Sequence, residues 1–200
     1  YRGQVVIIAT GPETNVAALL LAHPELKAKI AGVSVMGGGI AYGNWTAAAE
    51  FNILVDPEAA EAVFGSGLPV QMCGLDVTEK ALIFPEDFQR IRAVGNQVAE
   101  IVADWLEFFY RFHREIGYAG APVHDPCAVA SLLRPELFTR QAMHVAIETQ
   151  GEYCRGCTVG DPSHRLGGDN AICCMNVDRQ GFVDLLVEAV RFYVGREVPV

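Results

Sequence analysis

The chain has 200 residues, 51% of them hydrophobic, and a formal net charge of −9, which suffices for one α/β domain with a core of its own. Its 15 Lys and Arg residues are scattered, leaving no basic stripe to track phosphates and excluding nucleic acid as an expected partner. No apolar run approaches the ~18 residues of a membrane span, since Ile101 to Phe112 is already broken by Asp104, Glu107 and Arg111, so no membrane partner is expected and the chain reads as cytoplasmic.

The first element is the strand Val5-Val6-Ile7-Ile8-Ala9, uniformly apolar as a parallel strand buried on both faces would be. Such strands seldom stand first with nothing beside them. Tyr1 is neither an initiator Met nor the start of a leader pattern, so further strands upstream are expected. Thr10 to Asn15 forms the turn into a helix that runs to about His23, where Pro24 helps to end it. A second strand spans Ile30 to Met36. Asp56-Pro57-Glu58 then caps and opens a helix to Phe64, and Pro69 to Cys73 gives a third strand. This β-α-β-α-β series predicts an α/β fold with a mainly parallel central sheet flanked by helices, Rossmann-like in its crossovers.

Beyond Leu75-Asp76-Val77-Thr78 the pattern turns helical from Pro85 to about Ile116, with breaks, as an outer layer or wall. Gly117 to Pro122 is a loop, and Asp125-Pro126 opens a short helix to Leu133. Strands are predicted at Ala142 to Glu148 and Ala171 to Val177, followed by a helix from Arg179 to Val194. Residues 1–200 read as a single domain, incomplete at its N-terminus. An unprotected sheet edge would follow, and self-association into a homo-oligomer is expected.

The six cysteines, Cys73, Cys127, Cys154, Cys157, Cys173 and Cys174, sit in apolar runs and resemble buried small hydrophobes more than a disulfide framework. Cys154 and Cys157 with the Cys173-Cys174 pair could bind zinc in principle, but adjacent residues of a strand point to opposite faces.

Two places carry chemistry. Met36-Gly37-Gly38-Gly39 leaves a strand and leads through Asn44 to Glu50-Phe51-Asn52; amides and a carboxylate on one loop suit a ligand dense in hydroxyls, such as a sugar. In extended backbone Glu50 and Asn52 would share a side and Phe51 would face the core. Without further context, a solvated polar loop is the plainer reading, and Met36 is plain core. The second place is His124-Asp125-Pro126, an imidazole beside a carboxylate; Asp-Pro is also an ordinary helix start, as Asp56-Pro57 illustrates. His113 with Phe108, Phe109 and Phe112 could wall a base pocket, although their helical spacing is more simply that of a core.

Seven ordered segments resemble the inosine-uridine-preferring nucleoside hydrolase family: Thr10-Gly11-Pro12-Glu13-Thr14-Asn15, Val35-Met36-Gly37-Gly38, Gly43-Asn44-Trp45-Thr46, Ala49-Glu50-Phe51-Asn52, Val55-Asp56-Pro57-Glu58-Ala59-Ala60, Gly74-Leu75-Asp76-Val77-Thr78 and His124-Asp125-Pro126. The resemblance implies cleavage of ribonucleosides to ribose and free base with a tightly held calcium ion. By position it implies that the Thr10 carbonyl and the Asp125 carboxylate ligate calcium. It makes Asn44, Glu50 and Asn52 contacts of the ribose hydroxyls, sets Met36 against the sugar, and assigns His124 to protonation of the leaving base.

The Asp-rich loop D-x-D-x-x-x-D-D with which family members begin is absent from these 200 residues. The chain therefore resembles the carboxyl-terminal two-thirds of such an enzyme, either as a fragment or as a naturally short member. Calcium demands six to eight oxygens, of which this chain would bring two, so the isolated chain is expected to hydrolyse little or nothing. The alternative is a non-catalytic remnant that keeps the nucleoside- or ribose-binding loop.

Overall fold

The computed structural model describes residues 5–196. In chain order its elements are β1 (Val5–Ala9), α1 (Thr14–Ala22), a 3-10 turn (Pro24–Lys29), β2 (Ile30–Met36), α2 (Phe51–Val55), α3 (Pro57–Phe64), β3 (Val70–Cys73), α4 (Leu75–Thr78), β4 (Leu82–Ile83), α5 (Pro85–Arg92), α6 (Gln97–Glu115), β5 (Ala121–Pro122), α7 (His124–Leu133), a second 3-10 turn (Pro135–Leu137), β6 (Phe138–Ile147), β7 (Thr158–Asp161), β8 (Ala171–Val177) and α8 (Arg179–Arg191). The described residues pack as two compact units, one ending at Thr78 and resuming over His124–Asn176, the other formed by Glu79–Val123 and the segment from Val177.

The first unit is built on a six-stranded sheet of order β1-β2-β3-β8-β6-β7. The β1–β2, β2–β3 and β3–β8 pairs are parallel and β6–β7 is antiparallel, which gives the mixed α/β class with a mainly parallel sheet. Its core gathers Val33, Val35 and Met72 from the strands, Leu20 from α1, Ile53 from α2, and Val63 and Phe64 from α3. The crossovers put α1 and α3 together. Asp56 joins them as the cap of α3, accepting from the Ala59 N–H at 3.1 Å and from the Thr14 hydroxyl at 2.5 Å.

Among the described residues β1 is the edge of the sheet, and Val5, Val6 and Ile8 are 42%, 39% and 39% exposed. Two expectations need correction here. β6 begins at Phe138, four residues before the expected Ala142. β7, absent from the expected elements, is a Thr-Val-Gly-Asp stretch held by its antiparallel pairing to His144–Ile147; four residues with a Gly and an Asp carry too little propensity to announce a strand.

The second unit clusters Phe88 and Ile91 of α5, Ala99 and Ala103 of α6, and Val187 and Val190 of α8. Asp87, buried to 2% side-chain exposure, pairs with Arg179 at 2.6 Å and accepts the Phe84 N–H at 2.9 Å. The long helical stretch breaks between Arg92 and Gln97, where Asn96 caps α6 through the Ala99 N–H. His113 is buried against Phe109 and Tyr118, with ring centroids 4.2 and 5.3 Å away, whereas Trp105, Phe108 and Phe112 stand exposed on α6. Among the described residues no helix is long and apolar enough to cross a membrane.

Candidate active site

β1, β2 and β3 run parallel, so the segments that leave them, Thr10, Met36-Gly37 and Gly74, emerge at one end of the sheet. Ligands of open α/β sheets bind at the carboxyl ends of their strands. Met36, 3% exposed, ends β2. Gly38 then takes φ +79°, a conformation that favours glycine, and a Cβ there would lie 2.6 Å from Thr158 Oγ1 and 2.8 Å from Met72 Cε.

Glu50 organises the loop that follows. Its carboxylate, on a residue only 3% exposed, accepts the Gly38 N–H at 2.9 Å, the Asn52 N–H at 2.9 Å and the Ile53 N–H at 3.2 Å. Glu50 is thereby the N-cap of α2. This corrects the extended reading of Glu50-Phe51-Asn52: the backbone turns helical at Phe51, which is 40% exposed and meets Trp45 edge-on at 5.0 Å instead of entering the core. Asn52, 8% exposed, donates its side-chain amide to the Met36 carbonyl at 3.0 Å. Asn44 is exposed and accepts the Phe51 N–H at 3.0 Å. Met36, Asn44, Glu50 and Asn52 are thus brought together by one hydrogen-bonded loop.

His124 opens α7, and its Nδ1 lies 2.8 Å from Thr78 Oγ1 at the end of α4. Thr78 is fully buried, so the contact fixes the imidazole from behind. Asp125, the next residue, is open to solvent, yet the protein around it raises its carboxyl above the ordinary range. Burial raises Glu50 as well, against the opposing pull of its three backbone donors, and the Asp125 charge adds to the rise. Glu13, fully buried, is pushed up to about 7 by burial and then by the charge of Glu50. Glu50 and Asp125, acids whose charges oppose each other around a polar loop, suit a ligand that is, or becomes, positive. Thr10 is exposed at the end of β1.

Sequence reasoning passed over three residues. Asp76 accepts the Ile40 and Ala41 N–H groups at 2.7 and 3.1 Å and so shapes the glycine turn. Thr78 holds His124. Both lie in the Gly74 to Thr78 segment, whose clustering of polar residues directly after a strand was the available signal. Glu13 gave no signal, because burial of one acid in a helix-entry turn is not legible locally.

Calcium takes six to eight oxygens. Among the described residues no three His, Cys, Asp or Glu side chains gather closely enough to hold a metal ion.

The family model described as inosine-uridine preferring nucleoside hydrolase matches residues 1–184. A pyrimidine-specific ribonucleoside hydrolase RihA of Escherichia fergusonii is 57% identical over 192 residues, covering 94% of this chain and 62% of the relative; the RihA of Escherichia coli O1:K1 gives the same figures. Among solved structures, the purine-preferring ribonucleoside hydrolase from Gardnerella vaginalis superposes with a TM-score of 0.87 at 32% identity, over 96% of this chain and 62% of that one. A plant nucleoside hydrolase, PpNRh1, gives a TM-score of 0.86 at 26% identity, over 96% and 63%. The chain thus spans about 62% of the length of the curated relatives it matches. With the matched span, the parallel sheet and the loop at its carboxyl end all in agreement, the chain belongs to the inosine-uridine preferring nucleoside hydrolase family.

Proposed function

We propose that this chain carries the ribose-binding and leaving-group half of a ribonucleoside N-ribosyl hydrolase. The observation that carries the reading is the Glu50 clasp on Gly38, Asn52 and Ile53, which builds a rigid polar loop where a sugar would lie. Breaking an N-glycosidic bond leaves positive charge on the ribose ring and negative charge on the base. The acidic set of Glu50 and Asp125 favours the first. His124, held through Nδ1 by Thr78, is the proton donor to the second, a task that suits an imidazole because it titrates near neutrality. Asn44 and Asn52 bind ribose hydroxyls, and Met36 backs the sugar.

The 57% identity to pyrimidine-specific relatives, against 32% to a purine-preferring one, favours a pyrimidine ribonucleoside. Uridine is therefore expected to shift the Gly38, Asn52 and Ile53 amide resonances of the purified chain at lower concentration than inosine does. No shift with either nucleoside overturns the ribose-loop reading.

Thr10 and Asp125 are the two positions this chain would bring to a calcium ion. Alone they are expected to hold it no more tightly than about 1 mM in a calorimetric titration, and the chain alone is expected to release little or no ribose from uridine. Sub-millimolar calcium binding with calcium-dependent ribose release removes both expectations and leaves the substrate class standing. The second reading, a non-catalytic ribose-binding remnant, predicts uridine binding without hydrolysis at any calcium concentration.

The chain is also expected to self-associate. Val5, Val6 and Ile8 are exposed on the edge strand β1, and an unpaired strand edge is a template for another chain. Sedimentation velocity over a range of concentrations is expected to show species above monomer mass; a monomer at every concentration refutes this.

A further inference from the structure

Glu13 is a buried acid that the proposed chemistry does not use. It is 0% exposed, and neither carboxyl oxygen has a hydrogen-bond partner. It occupies the N-cap position of α1 without capping it. Its turn leaves β1 beside the segment that leaves β2, since Ala9 pairs with Val35, and that neighbouring segment holds Gly37 and Gly38. Glu50, which clasps Gly38, is the charged group that bears on Glu13, and Asp125 bears on Glu50 in turn.

The charged groups of the elements packed against α1 are engaged elsewhere or exposed. Asp56 takes the Thr14 hydroxyl, Glu58 is paired with Arg155, and Lys27 donates to the Ser66 carbonyl. Glu25, Lys29 and Glu61 stand exposed. An ionised carboxylate buried without a donor is costly, and such groups neutralise instead.

We infer that Glu13 is a positioning residue for the ribose loop: as a neutral acid buried without a partner on the turn beside the segment that holds Gly38, it leaves Glu50 to carry the charge that the Gly38, Asn52 and Ile53 amides bind. When Glu13 loses its proton, two buried carboxylates oppose each other and the clasp on Gly38 weakens. The loop is thereby closed in acid and loosened in alkali, with the turning point near neutrality, where burial and the Glu50 charge set the Glu13 carboxyl at about 7. The consequence for ribose rests on the ribonucleoside reading above; the consequence for the loop does not.

The test is amide hydrogen exchange at Gly38, Asn52 and Ile53 of the ligand-free chain between pH 6 and 8, after correction for ordinary base catalysis. In the parent chain protection is expected to fall as pH rises to about 7, by at most about tenfold per pH unit, and to level off above it. It is expected to stay flat in Glu13→Gln, which keeps the shape without the charge. Glu13→Leu is expected to be flat as well and serves if the glutamine variant does not fold. A flat parent profile, or equal slopes in all three proteins, overturns the inference.

Melting temperature gives a second readout. An acid raised on folding contributes stability that is full below about 4.5 and lost as pH rises through about 7. The parent is therefore expected to lose melting temperature relative to Glu13→Gln over that window, and parallel curves overturn the inference. No nucleoside enters either measurement, so failure here is separable from failure of the substrate reading.

Discussion

Glu50→Ala is expected to cost about 2–5 kcal/mol of unfolding free energy, because a buried donor left without an acceptor costs about 1–3 kcal/mol and the substitution orphans the N–H groups of Gly38, Asn52 and Ile53 together. The loss exceeds that of an ordinary N-cap, typically about 1 kcal/mol, since one of these amides lies twelve positions upstream and belongs to no helix. Glu50→Gln keeps a single acceptor oxygen and is expected to fall between alanine and the parent. Urea denaturation measures all three; a Glu50→Ala midpoint equal to the parent's removes the clasp from the account of this loop. Where a nucleoside is bound, the same variant should lose it, because Asn52 and Gly38 are displaced together.

Gly43→Ala is the second large effect. A Cβ at this position would lie 2.3 Å from both the nitrogen and the oxygen of Ala49 and 2.4 Å from the Thr46 oxygen. All three are backbone atoms and cannot rotate away. The hydrogen bonds from Gly43 N–H to Ala47 and from Trp45 N–H to Ala49, each 3.2 Å, must then break or shift, and with them the adjacent Asn44. Uridine binding is expected to weaken by at least about tenfold, equivalent to about 1.4 kcal/mol, with amide shifts concentrated between Tyr42 and Phe51. Gly168→Ala is the matched control, since a Cβ there meets nothing within 4 Å. Equal affinities for Gly43→Ala and the parent would show that this close packing does not govern the loop.

Much of the first unit was legible because local signals and burial agree there. The apolar runs Ile30–Met36 and Val70–Cys73 are bounded by Gly and Pro, and both became parallel strands. Asp56-Pro57 opened the helix it announced. Legibility failed where a residue's role is set by distant partners. Glu50 and Asn52 carry the right chemistry for a sugar loop, but their alternation mimicked a strand while the carboxylate was capping a helix. The contact between His124 and Thr78 joins residues 46 positions apart, and the isolation of Glu13 is a property of packing that no window of sequence contains.

The clasp between Gly38 and Glu50 also makes the segment between them a cassette. Its ends are tied to each other, with the isolated bridge from Ala49 to Cys157 as a further anchor. Tyr42 and Trp45, exposed by 42% and 68%, ride on it. Closing a longer loop costs only about 0.6 kcal/mol per doubling of length, so one carboxylate at the foot of the span suffices to hold all of it, Asn44 included, at the end of the sheet. Any graft of this span has therefore to carry Gly38, Gly43, Asn44 and Glu50 together as one unit.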